Sequence, residues 1–253
     1  MLHSRLIPVL LLHQGGLWKT EQFEPVTYVG DPTNAVRIFN DKKADELIVL
    51  DIDATAAGRG PDFALIERLA SECFMPLCYG GGITDVEEAR RLFGLGVEKV
   101  ALNTAARTDP QLIVRIAEVA GRQAVVASID VTHRGGRRQV YSHVLREPIG
   151  TDVTDLVRKY CEVGVGELLI TSVDLDGTLS GPDLALARDV CDIADVPVIA
   201  VGGVRDLRDA ADLVDSGAAV AAGAMFVYRG VHRAVLITYP DVEVLRREQL
   251  GTL

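Results

Sequence analysis

A glycine-rich turn occurs twice in this chain, at Gly80-Gly81-Gly82-Ile83 and at Val201-Gly202-Gly203-Val204, with Gly203 offset from Gly82 by 121 positions. At the same spacing Asp53 falls on Asp174 and Asn103 on Ala224. Each half therefore runs through strand, acidic turn, glycine-rich turn and small-residue turn in one order. A duplicated unit of this kind buries the same faces twice, which restricts the fold to architectures with internal two-fold symmetry.

The rest of the pattern agrees. Short β-branched runs at 6–12, 46–51, 76–79, 99–102, 124–130, 167–171, 197–201 and 219–222 read as eight strands. Amphipathic stretches at 32–43, 62–73, 85–95, 110–121, 152–164, 182–193 and 207–216 read as helices between them. The strands are near-continuous apolar runs, as expected when helices cover a parallel sheet. Two halves of four strands predict an α/β fold, a (β/α)8 TIM barrel with an internal half-barrel repeat, as one domain over 1–253. An open doubly wound sheet is the alternative, but it more often carries a single glycine-rich fingerprint. Polar segments at 12–31, 53–61 and 132–151 follow strand C-terminal ends, where this fold builds its sites, and are expected to cover a substrate.

The formal net charge is −10, so nucleic acid and anionic membranes are poor partners for this chain. Its apolar runs are too short to span a bilayer, which takes about 20 residues, and 1–5 lacks a signal-peptide layout. Cys73, Cys78, Cys161 and Cys191 share no metal-ligand spacing and are expected as buried free thiols. A cytoplasmic protein with no cofactor and no metal is the expectation.

The candidate site residues lie at strand ends. Glycine turns let backbone N–H groups approach an anion, and paired turns suggest one phosphate grip per half, joined by Asn103-Thr104 and by Ala222-Gly223-Ala224. Asp51, Asp53, Asp130, Asp174 and Asp176 end or follow strands. A rim carboxylate serves as general acid or base if burial raises its pKa, or else ties a turn. Asp130 is the strongest candidate. No rim histidine is expected to compete, since His133 and His143 fall on a mobile-looking loop. Arg5, Glu46, Lys99 and Glu167 sit at strand beginnings, on the opposite face, where spacing alone suggests surface ion pairs of little weight.

Taken together, Leu50-Asp51-Ile52, Gly80-Gly81-Gly82-Ile83, Asn103-Thr104-Ala105-Ala106, Ser128-Ile129-Asp130, Thr171-Ser172, Asp176-Gly177-Thr178 and Gly202-Gly203 resemble the HisF family. HisF is the cyclase subunit of imidazole glycerol phosphate synthase, and the resemblance runs over nearly the whole chain. It implies a barrel that works with a HisH-like glutaminase subunit, with ammonia entering at the barrel bottom and crossing the core. It further implies that Arg5, Glu46, Lys99 and Glu167 form the ammonia gate. Phosphate and substrate positions carry over as Lys19, Gly82, Asn103, Thr104, Thr171, Gly177, Gly203 and Ala224. The catalytic positions implied are Asp130 as the remaining acid–base residue and Asp176 as a supporting polar group.

Strand 1 departs from the family. Leu11 stands where the family has a catalytic aspartate, and Val201 and Met225 replace small hydroxyl residues. These departures, with Gly15-Gly16-Leu17, Tyr28-Val29-Gly30-Asp31-Pro32, Asp51-Ile52-Asp53-Ala54-Thr55, the stretch 73–79 and the tail 232–240, resemble a paralogous WbuZ-like branch. That resemblance implies amidation, with acetamidino formation, of a nucleotide-sugar for surface polysaccharide (lipopolysaccharide) biosynthesis. It further implies a third, ATP-dependent amidotransferase that activates the acceptor. The rival expectations are a true cyclase of histidine biosynthesis and a non-catalytic scaffold that activates a glutaminase. The tail either docks a partner or packs on the barrel.

Overall fold

The structure, a computed structural model, describes residues 5–24, 27–230 and 232–241. In chain order the first half contains β1 (Leu6–His13), β2 (Gly16–Lys19), β3 (Thr27–Gly30), α1 (Pro32–Asp41), β4 (Leu47–Asp51), α2 (Phe63–Glu72), β5 (Leu77–Gly80), α3 (Val86–Gly94), β6 (Lys99–Leu102), α4 (Thr104–Thr108) and α5 (Gln111–Ala120). The second half contains β7 (Val125–Arg134), β8 (Arg137–Ser142), β9 (Glu147–Pro148), α6 (Val153–Glu162), β10 (Glu167–Ser172), α7 (Leu184–Cys191), β11 (Val198–Val201), α8 (Leu207–Asp215), β12 (Ala219–Ala222), α9 (Ala224–Val227), β13 (Tyr228–Arg229) and β14 (Ala234–Val235).

Eight of these strands pair in parallel in the order β1, β4, β5, β6, β7, β10, β11, β12, and β12 returns to β1. The sheet is closed, a (β/α)8 barrel. Closure removes every edge, so the backbone polar groups of apolar strands are satisfied without solvent. Side chains alternate along each strand. Ile7, Val9 and Leu11 of β1 point inward with Ile48, Cys78, Ala101, Val126, Leu169, Ile199 and Ala221. Leu6, Leu10 and Leu12 face the helices.

The helices start where the sequence sets them. Asp31, Asp62, Asp85, Asp152, Asp183 and Asp206 each accept a hydrogen bond from a first-turn backbone N–H. Such a cap contributes about 1 kcal/mol.

The repeat is visible in atomic detail. Gly81 and Gly82 have φ of +125° and +71°, and Gly202 and Gly203 have +111° and +83°. A Cβ on Gly82 would meet the Arg59 carbonyl at 2.5 Å, and one on Gly203 the Gly181 carbonyl at 2.1 Å. Beyond each turn, a carboxylate one helical turn ahead holds a backbone N–H. Glu88 accepts from Thr84 N at 2.7 Å, and Asp209 from Arg205 N at 2.8 Å. The register slips by one residue at the last strand of each half. Asn103 and Gly223 are the equivalent residues, each preceding a short helix. The expected match of Asn103 with Ala224 is therefore corrected to Gly223.

The polar segments are more ordered than the sequence suggests. Segment 12–31 folds into β2 and β3, which extend the sheet from β1. Segment 132–151 is not a loose loop: β7 runs on to Arg134 and pairs with β8, which pairs with β9. The tail packs through Tyr239, which stacks on Phe226 at 5.4 Å and donates its hydroxyl to the Leu6 carbonyl at 2.8 Å. Val235 and Leu236, inside the apolar run of that tail, are exposed. All four cysteines are free, but Cys78 alone is buried; Cys73, Cys161 and Cys191 are half-buried at helix or strand margins. No described helix is long and apolar enough to cross a membrane.

Candidate functional site

The two ends of the barrel carry different chemistry. At the N-terminal end, Arg5 immediately precedes β1, Glu46 precedes β4, Lys99 opens β6 and Glu167 opens β10. They close a ring. Arg5 donates to Glu46 at 2.7 Å and also to Glu167, and Lys99 donates to Glu46 and to Glu167 at 2.9 Å each. Burial works against the charges of Arg5 and Lys99. Hydrogen bonds and Coulombic attraction to the two glutamates outweigh it, and both pKa values rise. The two carboxylates are buried. Charges in such a place are costly unless every partner is present, so these are not the loose surface pairs that spacing alone suggests. The apolar inner cluster, with the Cys78 thiol in it, lies above the ring. Burial pushes that thiol well up from its ordinary pKa.

At the C-terminal end a cavity of about 660 Å³ opens. Its floor is apolar, with Val9, Leu11, Ala101, Leu169 and Val201. Asp130, Ser128 and Thr171 reach it from β7 and β10, Gly81 and Gly82 from the first glycine turn, and Asn103 and Thr104 from the turn after β6. Asp130 is buried, and Asn103 Nδ2 donates to its Oδ2 at 2.9 Å. Asn103 makes no side-chain cap to α4, so its amide is spent on orienting Asp130. The Gly82 amide donates to Thr55 Oγ1 at 3.3 Å.

Gly177, Gly203 and Ala224 do not line that cavity. They line a small adjoining hollow of about 10 Å³, which shares Asp176 and Gly223 with the larger space. Lys19 joins the two. Its Nζ lies 3.5 Å from Asp176 Oδ1, and a Cβ on Gly223 would meet that Nζ at 2.7 Å. Asp176 also accepts from Thr20 Oγ1 at 2.8 Å. Its two oxygens thus already anchor the Lys19-Thr20 segment.

The remaining rim carboxylates tie loops. Asp51 accepts from the Asp53 and Ala54 amides, both at 3.0 Å, and pairs with Arg59 at 2.9 Å. Asp174 accepts from Thr132 Oγ1 at 2.9 Å and the His133 amide at 2.6 Å. Asp53 accepts from the Gln14 amide at 2.8 Å and lies 2.6 Å from His13 Nδ1.

The expectation that no rim histidine competes is overturned. His13 and His143 both line the cavity. His143 Nδ1 is 3.7 Å from Asp130 Oδ2, because the β8 hairpin folds back over β7. His13 was legible in principle: continuing the inward alternation of Val9 and Leu11 by one more step reaches it. His133 is exposed and lies outside the cavity. No cluster of three or more metal-ligating side chains occurs among the described residues.

A closed barrel with twin glycine turns at one end and a charged ring at the other defines an internally symmetric (β/α)8 protein. Comparison with known proteins narrows this. A profile of the histidine biosynthesis protein family matches residues 5–233. A relative from Pseudomonas aeruginosa, provisionally named imidazole glycerol phosphate synthase subunit hisF2, is 48% identical over 97% of this chain and 99% of its own length. One from Leptospira borgpetersenii, provisionally named subunit HisF of the same enzyme, is 45% identical over 95% of this chain and 96% of its own. A Vibrio vulnificus relative, provisionally named subunit hisF3, is 46% identical over 95% and 94%. The chain belongs to the HisF family of histidine biosynthesis proteins.

Proposed function

We propose that this chain is the synthase subunit of a glutamine amidotransferase complex, receiving ammonia from a HisH-like glutaminase docked at the ring. The observation that carries the reading is the complete ring of Arg5, Glu46, Lys99 and Glu167 at one end of an apolar core whose other end opens on Asp130. A neutral molecule as small as ammonia is suited to an apolar core, and paired charges at its mouth exclude water and ions.

The acceptor binds in the upper cavity. Gly82, Asn103 and Thr104 hold one phosphate, and Lys19 with Gly177, Gly203 and Ala224 holds the other end. Thr171 lines the space between them. Asp130, oriented by Asn103, is the acid–base residue on the β7 side of the cavity, and Asp176 keeps Lys19 in place. Leu11 leaves the strand 1 side of the floor without a carboxylate, so ring closure on the histidine-pathway intermediate lacks one of its two proton-transfer groups. The acceptor is therefore a different phosphorylated small molecule. The WbuZ-like resemblance points to a nucleotide-sugar, with a third ATP-dependent amidotransferase activating its acetamido group. Retained Asp130, Gly82 and Asn103, and the names of the relatives, favour the histidine-pathway cyclase as the second reading.

The test combines the chain, a HisH-like glutaminase, the third enzyme, ATP and a nucleotide-activated N-acetylamino sugar. Lys99→Met and Glu167→Gln should lower amidated product per glutamate formed. Unchanged yield with intact glutaminase activation would identify a scaffold instead.

A further inference from the structure

His13 extends the inward face of β1 by one step above Leu11. Two strand residues span about 7 Å, so its imidazole stands one layer nearer the cavity mouth than the floor position that Leu11 fills. Asp53 Oδ1 lies 2.6 Å from Nδ1, and the Trp18 ring packs edge-on at 5.1 Å. The ring is thus held on two sides, with Nδ1 engaged and Nε2 left over. His143 stands beside Asp130 on the opposite wall. Each half of the barrel contributes one histidine–carboxylate pair to the same cavity.

We propose that His13, oriented by Asp53, is the acid–base residue on the β1 side of the cavity, and that proton transfer has moved outward from the floor to the rim. The inference rests on the reading of the cavity as an ammonia-acceptor site. Ammonia nitrogen bonds to the acceptor's unsaturated carbon, the π pair moves to the attached heteroatom, and one N–H proton passes to His13 Nε2. That proton is then returned to the heteroatom, the acetamido nitrogen, and the adduct collapses to the amidine as a nitrogen lone pair re-forms the C=N bond and expels the oxygen of the activating group with its electron pair. A carboxylate-held imidazole is suited to this, because a bond to Nδ1 sets the tautomer and leaves Nε2 basic. An acceptor that reacts at the rim keeps its electrophilic carbon away from the apolar floor. This separates it from substrates that need a carboxylate at position 11.

Two measurements test the proposal. In the assembled system described above, His13→Gln should lower amidated product per glutamate formed about 100-fold, the lower range for loss of a general base. Leu11→Ala, at the floor, should lower it far less. A His13→Gln yield within twofold of wild type overturns the inference while leaving the acceptor reading in place. Absence of product from the wild type removes the acceptor reading, and ring-nitrogen NMR of the chain then decides His13 by itself. Neutral His13 should carry its proton on Nδ1, and Asp53→Ala should abolish that preference. A neutral ring protonated on Nε2 in the wild type overturns the proposal.

Discussion

Lys99 bridges Glu46 and Glu167, with its Nζ 2.9 Å from a carboxylate oxygen of each. Three elements distant in sequence thus meet at one ammonium group, and Arg5 closes the circuit from the other side. Lys99→Met would leave two buried carboxylates sharing a single cation. Breaking a buried pair in this way costs about 3 kcal/mol, to be read as a lower urea midpoint at pH 7. The pH dependence follows from the raised pKa of Lys99. Its contribution is fully present below the ordinary lysine value of 10.5 and is lost as pH rises through the folded value. The gap between wild type and Lys99→Met should therefore be constant from pH 7 to 9 and narrow above pH ~10.5.

Gly203→Ala should destabilise the fold by about 3 kcal/mol, since the new Cβ would lie 2.1 Å from the Gly181 carbonyl at a positive φ. Gly135, also at positive φ but with open space around it, provides the control. Gly135→Ala should cost about 1 kcal/mol, the backbone penalty alone. Chemical denaturation of both variants separates the packing effect from the conformational one.

The architecture was largely legible in the chain because a parallel barrel writes itself in apolar runs and a duplicated glycine turn. The excursions were not. Segments 12–31 and 132–151 are polar and irregular in pattern, yet they form hairpins because β1 and β7 run past the barrel and offer unpaired edges. Leu11 and Asp130 could be placed from sequence. His143 could not, because only the fold of the β8 hairpin brings it to Asp130 across a sequence gap that no periodicity spans. Cys73, Cys161 and Cys191 misled for a related reason: apolar neighbours in sequence do not guarantee burial at the margins of helices and strands.

Phe74 follows α2 and precedes β5, on the same end of the barrel as the ring, and is 87% exposed. On the proposed docking of a glutaminase at the ring, Phe74 is the side chain expected to anchor the interface. Phe74→Ser should weaken association with the glutaminase about tenfold or more, with an unchanged unfolding midpoint. Calorimetric titration with denaturation of the isolated chain checks both parts.

Leu11→Asp would place a carboxylate in the inner cluster beside Val9 and Ile48. Burial without a partner costs about 3 kcal/mol and raises the carboxyl pKa. An acid with a raised folded pKa is tolerated when protonated and penalised as pH climbs above its unfolded value. The deficit against wild type should therefore be smaller at pH 4 than at pH 7, as read from urea midpoints.

A HisF-family barrel without its strand 1 carboxylate should serve a different acceptor. The most direct measurement is turnover of the bisphosphate intermediate of histidine biosynthesis by the purified chain, with ammonium salt at alkaline pH in place of a glutaminase. Folded protein should consume none of the intermediate. Turnover at the rate of ordinary HisF cyclases would contradict it, showing that Leu11 is tolerated and that the chain is a histidine-pathway enzyme.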